Sequence, residues 1–141
     1  MPTTMSRAER ETFLADLHVG MLALTRAGRG PLNVPIWYDY TPGGDLWFIT
    51  DRDSRKGKLM EVGTRVGFCA QTEVAPYQYV SIEGPVVSIE PALVDTHLKP
   101  MAQRYLGLAQ GEQYAANSHD GESALIRVRP EQWLSVDYRK R

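Results

Sequence analysis

Between Arg52 and Lys58 the chain places four basic side chains within seven residues: Arg52, Arg55, Lys56 and Lys58. Asp53 or Ser54 can cap a helix beginning just after them. A helix N-terminus already carries partial positive charge, so basic side chains there are unfavourable unless an anion sits among them. Asp51 and Asp53 offset half of that charge. The remainder, with the free backbone N–H groups, suits a phosphate group held by Ser54, Arg55, Lys56 and Lys58. The same residues would also serve a solvated turn in which Asp and Arg pair with each other.

Two aromatic segments could wall the same ligand. Pro35-Ile36-Trp37-Tyr38 precedes a turn that leads back into Leu46–Thr50, and Pro76-Tyr77-Gln78-Tyr79 enters a long apolar run. Taken alone, Trp37 is better accounted for by core or dimer packing. A flat, polar-edged ring with a phosphate tail would suit a basic helix start beside strand backbone and aromatic walls, and a flavin has that shape.

Little else in the chain does chemistry by itself. His18, His97 and His119 are far apart, with no second ligand at metal spacing, so no protein-built metal site is expected. Cys69, the single cysteine, excludes an internal disulfide and reads as a buried, inert thiol. There is no nucleophile elbow, P-loop or dinucleotide glycine fingerprint. His119-Asp120 near Ser118 and Ser123 only superficially suggests a hydrolytic set. A chain this poor in acid–base and nucleophilic groups points to a borrowed cofactor.

These residues must be positioned by an alternation of strands with few helices. Ser6-Arg7-Ala8-Glu9 is a capping box, predicting a helix over roughly 6–16. Strands are expected over 19–25, 32–40, 46–50 and 65–71, with a short helix over about 54–61. Pro35 cannot donate to a ladder and marks an edge or a bulge. Residues 77–89 read as one long strand bent at Gly84-Pro85. Residues 93–106 are helical in spacing but contain Pro100, which predicts a kink or two short helices ending at Gly107. A helical turn within 110–118 and strands over 122–129 and 132–137 complete the chain. Antiparallel strands with regular turn signals argue for a mainly β fold, a small barrel with flanking helices.

The 141 residues suit one domain over the whole of 1–141, and 43% hydrophobic with 23% charged residues is an ordinary globular composition. A net charge of −1 gives no reason to expect nucleic acid. No segment approaches a membrane span and Met1–Ser6 lacks the apolar stretch of a signal peptide, so a cytoplasmic protein with no membrane partner is expected.

Several motifs in this order resemble a known family. Pro35-Ile36-Trp37-Tyr38, then Leu46-Trp47-Phe48-Ile49-Thr50, then Ser54-Arg55-Lys56 and Leu59 are similar to the split-barrel flavin-binding proteins related to pyridoxamine 5′-phosphate oxidase, and more closely to the flavin/deazaflavin oxidoreductases. Val80-Ser81-Ile82-Glu83-Gly84-Pro85-Val86, Arg104-Tyr105-Leu106-Gly107, and Trp133 with Asp137-Tyr138 resemble further motifs of that group. Lys56-Gly57-Lys58-Leu59 is one residue shorter before the leucine than in many relatives, and Thr64 stands where proline is common. The residues that bind pyridoxal-type substrates are not recognisable.

The resemblance implies a six-stranded antiparallel split barrel that forms a homodimer, with two cofactor sites at the interface. It implies FMN or the deazaflavin coenzyme F-420 as cofactor and a small-molecule substrate. Thr50, Ser54, Arg55 and Lys56 would hold the phosphate, while Ile36, Trp37 and Ile49 would lie along the ring. The partner would add residues near Tyr77 and Tyr79, and Trp133 is a further candidate. Lys58 and Arg52 would suit the longer anionic tail of the deazaflavin. The expected activity is hydride transfer by an FMN- or deazaflavin-dependent oxidoreductase. The alternative is a non-catalytic protein that binds or sequesters a flavin, a deazaflavin or haem.

Overall fold

A computed structural model of the protein describes residues 2–141. Helix α1 (Arg7–Ala15) starts on the expected capping box: the Glu9 N–H donates to Ser6 Oγ at 3.2 Å and the Ser6 N–H donates to Glu9 Oε1 at 2.8 Å. Its buried residues are Phe13 and Leu14.

Eight strands follow, all paired antiparallel: β1 (Gly20–Leu24), β2 (Leu32–Ile36), β3 (Asp39–Tyr40), β4 (Leu46–Thr50), β5 (Arg65–Gln71), β6 (Gln78–Pro91), β7 (Ala124–Val128) and β8 (Gln132–Asp137). The sheet runs β2-β1-β5-β6-β7-β4-β3, with β8 also on β6. β6 is its spine. The first half of β6 lies between β5 and β8, and the second half pairs with β7.

β6 runs unbroken through Gly84-Pro85, where it passes the β7–β8 junction, and its ladder with β7 shifts register just beyond, between Val86 and Ser88. A Cβ on Gly84 would sit 1.7 Å from the Arg129 carbonyl oxygen, so only glycine lets the two backbones approach there. β7 and β8 follow one edge of β6, interrupted at Pro130.

The strand count exceeds the six expected, and the excess has a local cause. The predicted strand over 32–40 divides: β2 pairs with β1, and only Asp39-Tyr40 pairs back onto β4. Trp37-Tyr38 is therefore a crossover between the two ends of the sheet rather than part of a hairpin strand, and β4 takes β7 as its main partner. Joining β2 to β3 and β7 to β8 at those breaks leaves six long strands, the mainly β antiparallel arrangement expected. Pro35 lies on the edge strand β2, as its missing N–H requires.

Between β6 and β7 the chain makes a helical excursion. A π-helical turn (Val94–Leu98) runs into α3 (Lys99–Leu106), with Pro100 in the first turn of α3. Pro100 lacks the N–H that would continue a single helix through this point, which explains the two pieces. Gly107, at φ 88°, ends α3 and begins α4 (Leu108–Ala115), which starts earlier than the turn expected over 110–118.

The core joins both halves of the sheet, with Leu14, Leu22, Tyr38, Phe48, Phe68, Ile82 and Ile126 fully or almost fully buried. No helix among the described residues is long and apolar enough to cross a membrane, and no group of three or more potential metal ligands occurs among them.

Candidate functional site

Helix α2 (Arg55–Lys58) is shorter than the span of 54–61 that the sequence suggests. Ser54 caps it: Ser54 Oγ accepts from the Gly57 N–H at 3.0 Å, donates to the Asp51 carbonyl at 2.6 Å and lies 3.3 Å from Thr50 Oγ1. Gly57 is buried against the preceding turn, where a Cβ would stand 2.1 Å from the Asp51 carbonyl oxygen. Four residues align too few peptide dipoles for a strong macrodipole, so any attraction for an anion rests on side-chain charge.

That charge is divided by the geometry. Lys56 faces a cleft of about 320 Å³, which Ile36, Trp37, Ile49 and Thr50 also line. Three separate segments supply these five residues: the end of β2 with the crossover that follows it, the end of β4, and α2. Strand alternation explains part of the arrangement. Leu46, Phe48 and Thr50 are buried on one face of β4, while Trp47 and Ile49 are half-buried on the other.

The remaining basic residues are placed elsewhere. Arg55 lines a different concavity with Arg26 and Arg29. Lys58 is exposed and lines neither. Arg52, expected to face a cofactor tail, instead donates from Nη1 to the Met60 carbonyl at 3.0 Å and pairs with Glu61 at 3.6 Å. Lys56 is the one basic side chain lining the cleft, and Asp51 the one carboxylate. No carboxylate lies within ion-pair distance of Lys56 among the described residues. Asp51 Oδ1 is occupied by the Asp53 N–H at 2.8 Å.

The helical excursion closes the opposite side of the cleft with Leu98, Met101 and Tyr114. Tyr105 fixes the aromatic wall from behind. Its ring is stacked on Trp37, with centroids 5.0 Å apart and planes 5° from parallel, and Tyr114 tilts against Trp37 at 5.5 Å. The Tyr105 hydroxyl donates to the His18 carbonyl at 2.6 Å and accepts from the Tyr38 N–H at 3.0 Å. Burial pushes the Tyr105 phenol above its ordinary pKa, which keeps it a neutral donor.

The start of the excursion is fixed by Asp120, whose Oδ1 accepts from the Val94 N–H at 2.7 Å. His119 donates its backbone N–H to Glu122 Oε1 at 2.6 Å. The His119-Asp120 pair thus acts in loop structure, not as a hydrolytic set.

Tyr77 and Tyr79 do not line this cleft. Tyr77 is 51% exposed ahead of β6, and Tyr79 is half-buried within it. Trp133 lies under the Arg10 guanidinium at 4.5 Å and edge-on to Tyr40, also away from the cleft. Sequence reasoning missed Leu98, Met101 and Tyr114 as lining residues. Helical spacing marks Met101 as apolar, but no local signal says that this face turns toward Trp37 rather than the core.

A family model described as pyridoxamine 5′-phosphate oxidase matches residues 6–137. No curated protein matches the chain in sequence. Among solved structures, a conserved hypothetical protein from Mycobacterium tuberculosis superposes with a TM-score of 0.78 at 22% identity, covering 99% of this chain and 89% of that one. A structure described as an F-420 reductase gives a TM-score of 0.70 at 22% identity, over 88% of this chain and 94% of the other. An FAD and heme binding protein from Mycobacterium smegmatis gives 0.65 at 15% identity, over 97% and 73% respectively. At such identities the likeness establishes the fold.

Proposed function

The chain belongs to the pyridoxamine 5′-phosphate oxidase family, and on that footing we propose that it is an oxidoreductase binding FMN or the deazaflavin coenzyme F-420. It would act on a small organic substrate as a cytoplasmic homodimer. The observation that carries this reading is the convergence of Ile36, Trp37, Ile49, Thr50 and Lys56 on one cleft, five of the ten residues at which a flavin-type ligand was expected from sequence. Relatives in fold described as an F-420 reductase and as an FAD and heme binding protein support the choice of cofactor class.

The donor set fits such a ligand. Lys56 would offset phosphate charge, and the Thr50 hydroxyl, held beside Ser54, would accept or donate at the same group. Trp37, braced by Tyr105, would lie along the ring, while Leu98 and Met101 keep water from its apolar face. When bound, the flavin or deazaflavin supplies the hydride chemistry. The protein's part is to orient the ring and to place backbone donors of the β2 edge where charge develops on it.

The dimer reading is supported by an apolar concavity around Leu17, Val19, Met21 and Val74, exposed by 55%, 54%, 43% and 78%. Exposed apolar surface of this kind marks an association site. Tyr77 stands beside it and would reach a partner's cleft.

The second reading, a non-catalytic carrier of a flavin or deazaflavin, is favoured by one observation: the cleft holds no histidine or cysteine to act as acid, base or nucleophile, a lining that also lacks the usual haem ligands. Titrating the purified protein with FMN and with F-420, followed by reduction and addition of an electron acceptor, separates the two. Saturable binding with reoxidation faster than in free solution supports the enzyme. Saturable binding without it supports the carrier, and no saturable binding of either cofactor overturns the enzyme and the flavin or deazaflavin carrier alike.

A further inference from the structure

Arg10, on α1, holds its guanidinium 4.5 Å over the Trp133 ring of β8, yet its Nε is buried with no hydrogen-bond partner. No carboxylate lies within ion-pair distance of it among the described residues. The contact with Trp133 uses the face of the guanidinium and satisfies none of its N–H groups. Arg104 also has a buried, unpartnered Nε, but its Nη2 donates to the Ala15 and Asp16 carbonyls at 3.1 and 3.0 Å. A buried N–H without an acceptor carries a desolvation cost, which an acceptor entering from outside removes.

Such an acceptor has a place to sit. Arg10 lines a cavity of about 200 Å³ between α1, the β3–β4 turn and the β7–β8 turn, and Arg7 and Arg129 line it as well. Its carboxylates are Glu11 and Asp45. Glu11 is engaged: Oε1 accepts from the Tyr40 hydroxyl at 3.5 Å and lies 3.8 Å from Arg7 Nε. Arg129 is in no ion pair among the described residues, and its backbone is pinned where its N–H donates to the Pro85 carbonyl at 3.1 Å. Three guanidinium groups against two carboxylates leave the lining with a single excess positive charge.

We propose that Arg10, with Arg129 beside the same cavity, forms a binding site for a small carboxylate. The cavity shares no lining residue with the Lys56 cleft, so the site is separate from the one assigned to the cofactor. A planar guanidinium matches the two oxygens of a carboxylate in bidentate fashion, and Trp133 fixes the plane of this one. One negative charge balances the lining, and the small volume restricts the ligand to a few heavy atoms. The site does not rest on the oxidoreductase reading.

Nitrogen-edited NMR titration of the full chain with acetate, replacing chloride at fixed ionic strength, tests it. The Trp133 indole N–H and the Arg10 Nε–H signals should shift together and saturate, while the Trp37 indole signal stays in place. Arg10→Gln should weaken binding about tenfold or more. Arg129→Gln changes an exposed side chain that is in no ion pair, so it keeps the fold and should weaken binding about threefold. Inorganic phosphate, titrated in parallel, should bind more weakly than acetate at the Trp133 signal. No saturable shift at Trp133, a shift at Trp37 instead, or full acetate affinity in either variant overturns the site. Tighter binding of phosphate at Trp133 overturns its assignment to a carboxylate.

Discussion

Trp37 lies flat on Tyr105, with ring centroids 5.0 Å apart and planes 5° from parallel, and the Tyr105 hydroxyl bonds the residue that follows Trp37 as well as the His18 carbonyl. One side chain of the helical excursion therefore fixes both the ring that walls the cleft and the backbone that carries it. The crossover between the two ends of the sheet needs such a brace, because Trp37 and Tyr38 belong to no strand.

Tyr105→Phe keeps the stack and removes the hydroxyl. The Tyr38 N–H and the His18 carbonyl each lose a partner, which costs about 1–3 kcal/mol. The urea midpoint should fall with an unchanged m-value, and cofactor affinity should fall with it. A midpoint equal to that of the wild type would remove the brace from the account.

Gly57→Ala places a methyl group against the Asp51 carbonyl and the Arg52 backbone, which cannot yield as a flexible side chain would. Overpacking of this kind costs about 1–3 kcal/mol. Because α2 must shift, the variant should also lose affinity at Lys56 beyond what its stability change explains. Full affinity in a destabilised variant would mean that the position of α2 does not matter to the site.

Val19→Glu puts a charge in the apolar concavity beside Met21 and Val74 without touching the core. Sedimentation equilibrium should report a dimer for the wild type and a monomer for the variant. A wild-type monomer, or a dimer in both, places the subunit contact elsewhere.

Burial holds the pKa of His18 below its ordinary value, despite the Phe13 carbonyl 3.0 Å from Nε2. The folded state thus resists protonation that the unfolded chain accepts near pH 6.5. The stabilising difference is intact above that pH and is lost as pH falls below it toward the folded pKa. His97, also lowered by burial, acts in the same direction. Denaturant unfolding at pH 7.5 and pH 5 should show a loss of stability in the wild type and a smaller loss in His18→Gln. Equal losses would assign the effect to other groups.

The sequence was most legible where one residue type solves one local problem. The Ser6–Glu9 box starts α1, Gly84 marks the close approach of β6 to Arg129, and Pro100 divides the excursion. It was less legible where tertiary contacts decide. The run from Leu32 to Tyr40 alternates like one strand, yet its two halves pair with different partners, a choice set by β1 and β4. The basic run after Thr50 read as one cradle. Its members separate because successive residues on a helical turn point in different directions, and because Arg52 is drawn back to the Met60 carbonyl. Leu98, Met101 and Tyr114 reach the cleft only through the path of the excursion across the sheet.

The central claim is that Lys56, and not its neighbour Lys58, meets the cofactor phosphate. Affinities of Lys56→Ala and Lys58→Ala for FMN and F-420, measured side by side, test it most directly. Charge-assisted phosphate contacts are worth about 1.5–3 kcal/mol, so Lys56→Ala should lose about one to two orders of magnitude. Lys58→Ala should stay within about twofold, as expected of an exposed charge outside the cleft. Equal losses in the two variants, or none in Lys56→Ala while its fold is intact, would contradict the account.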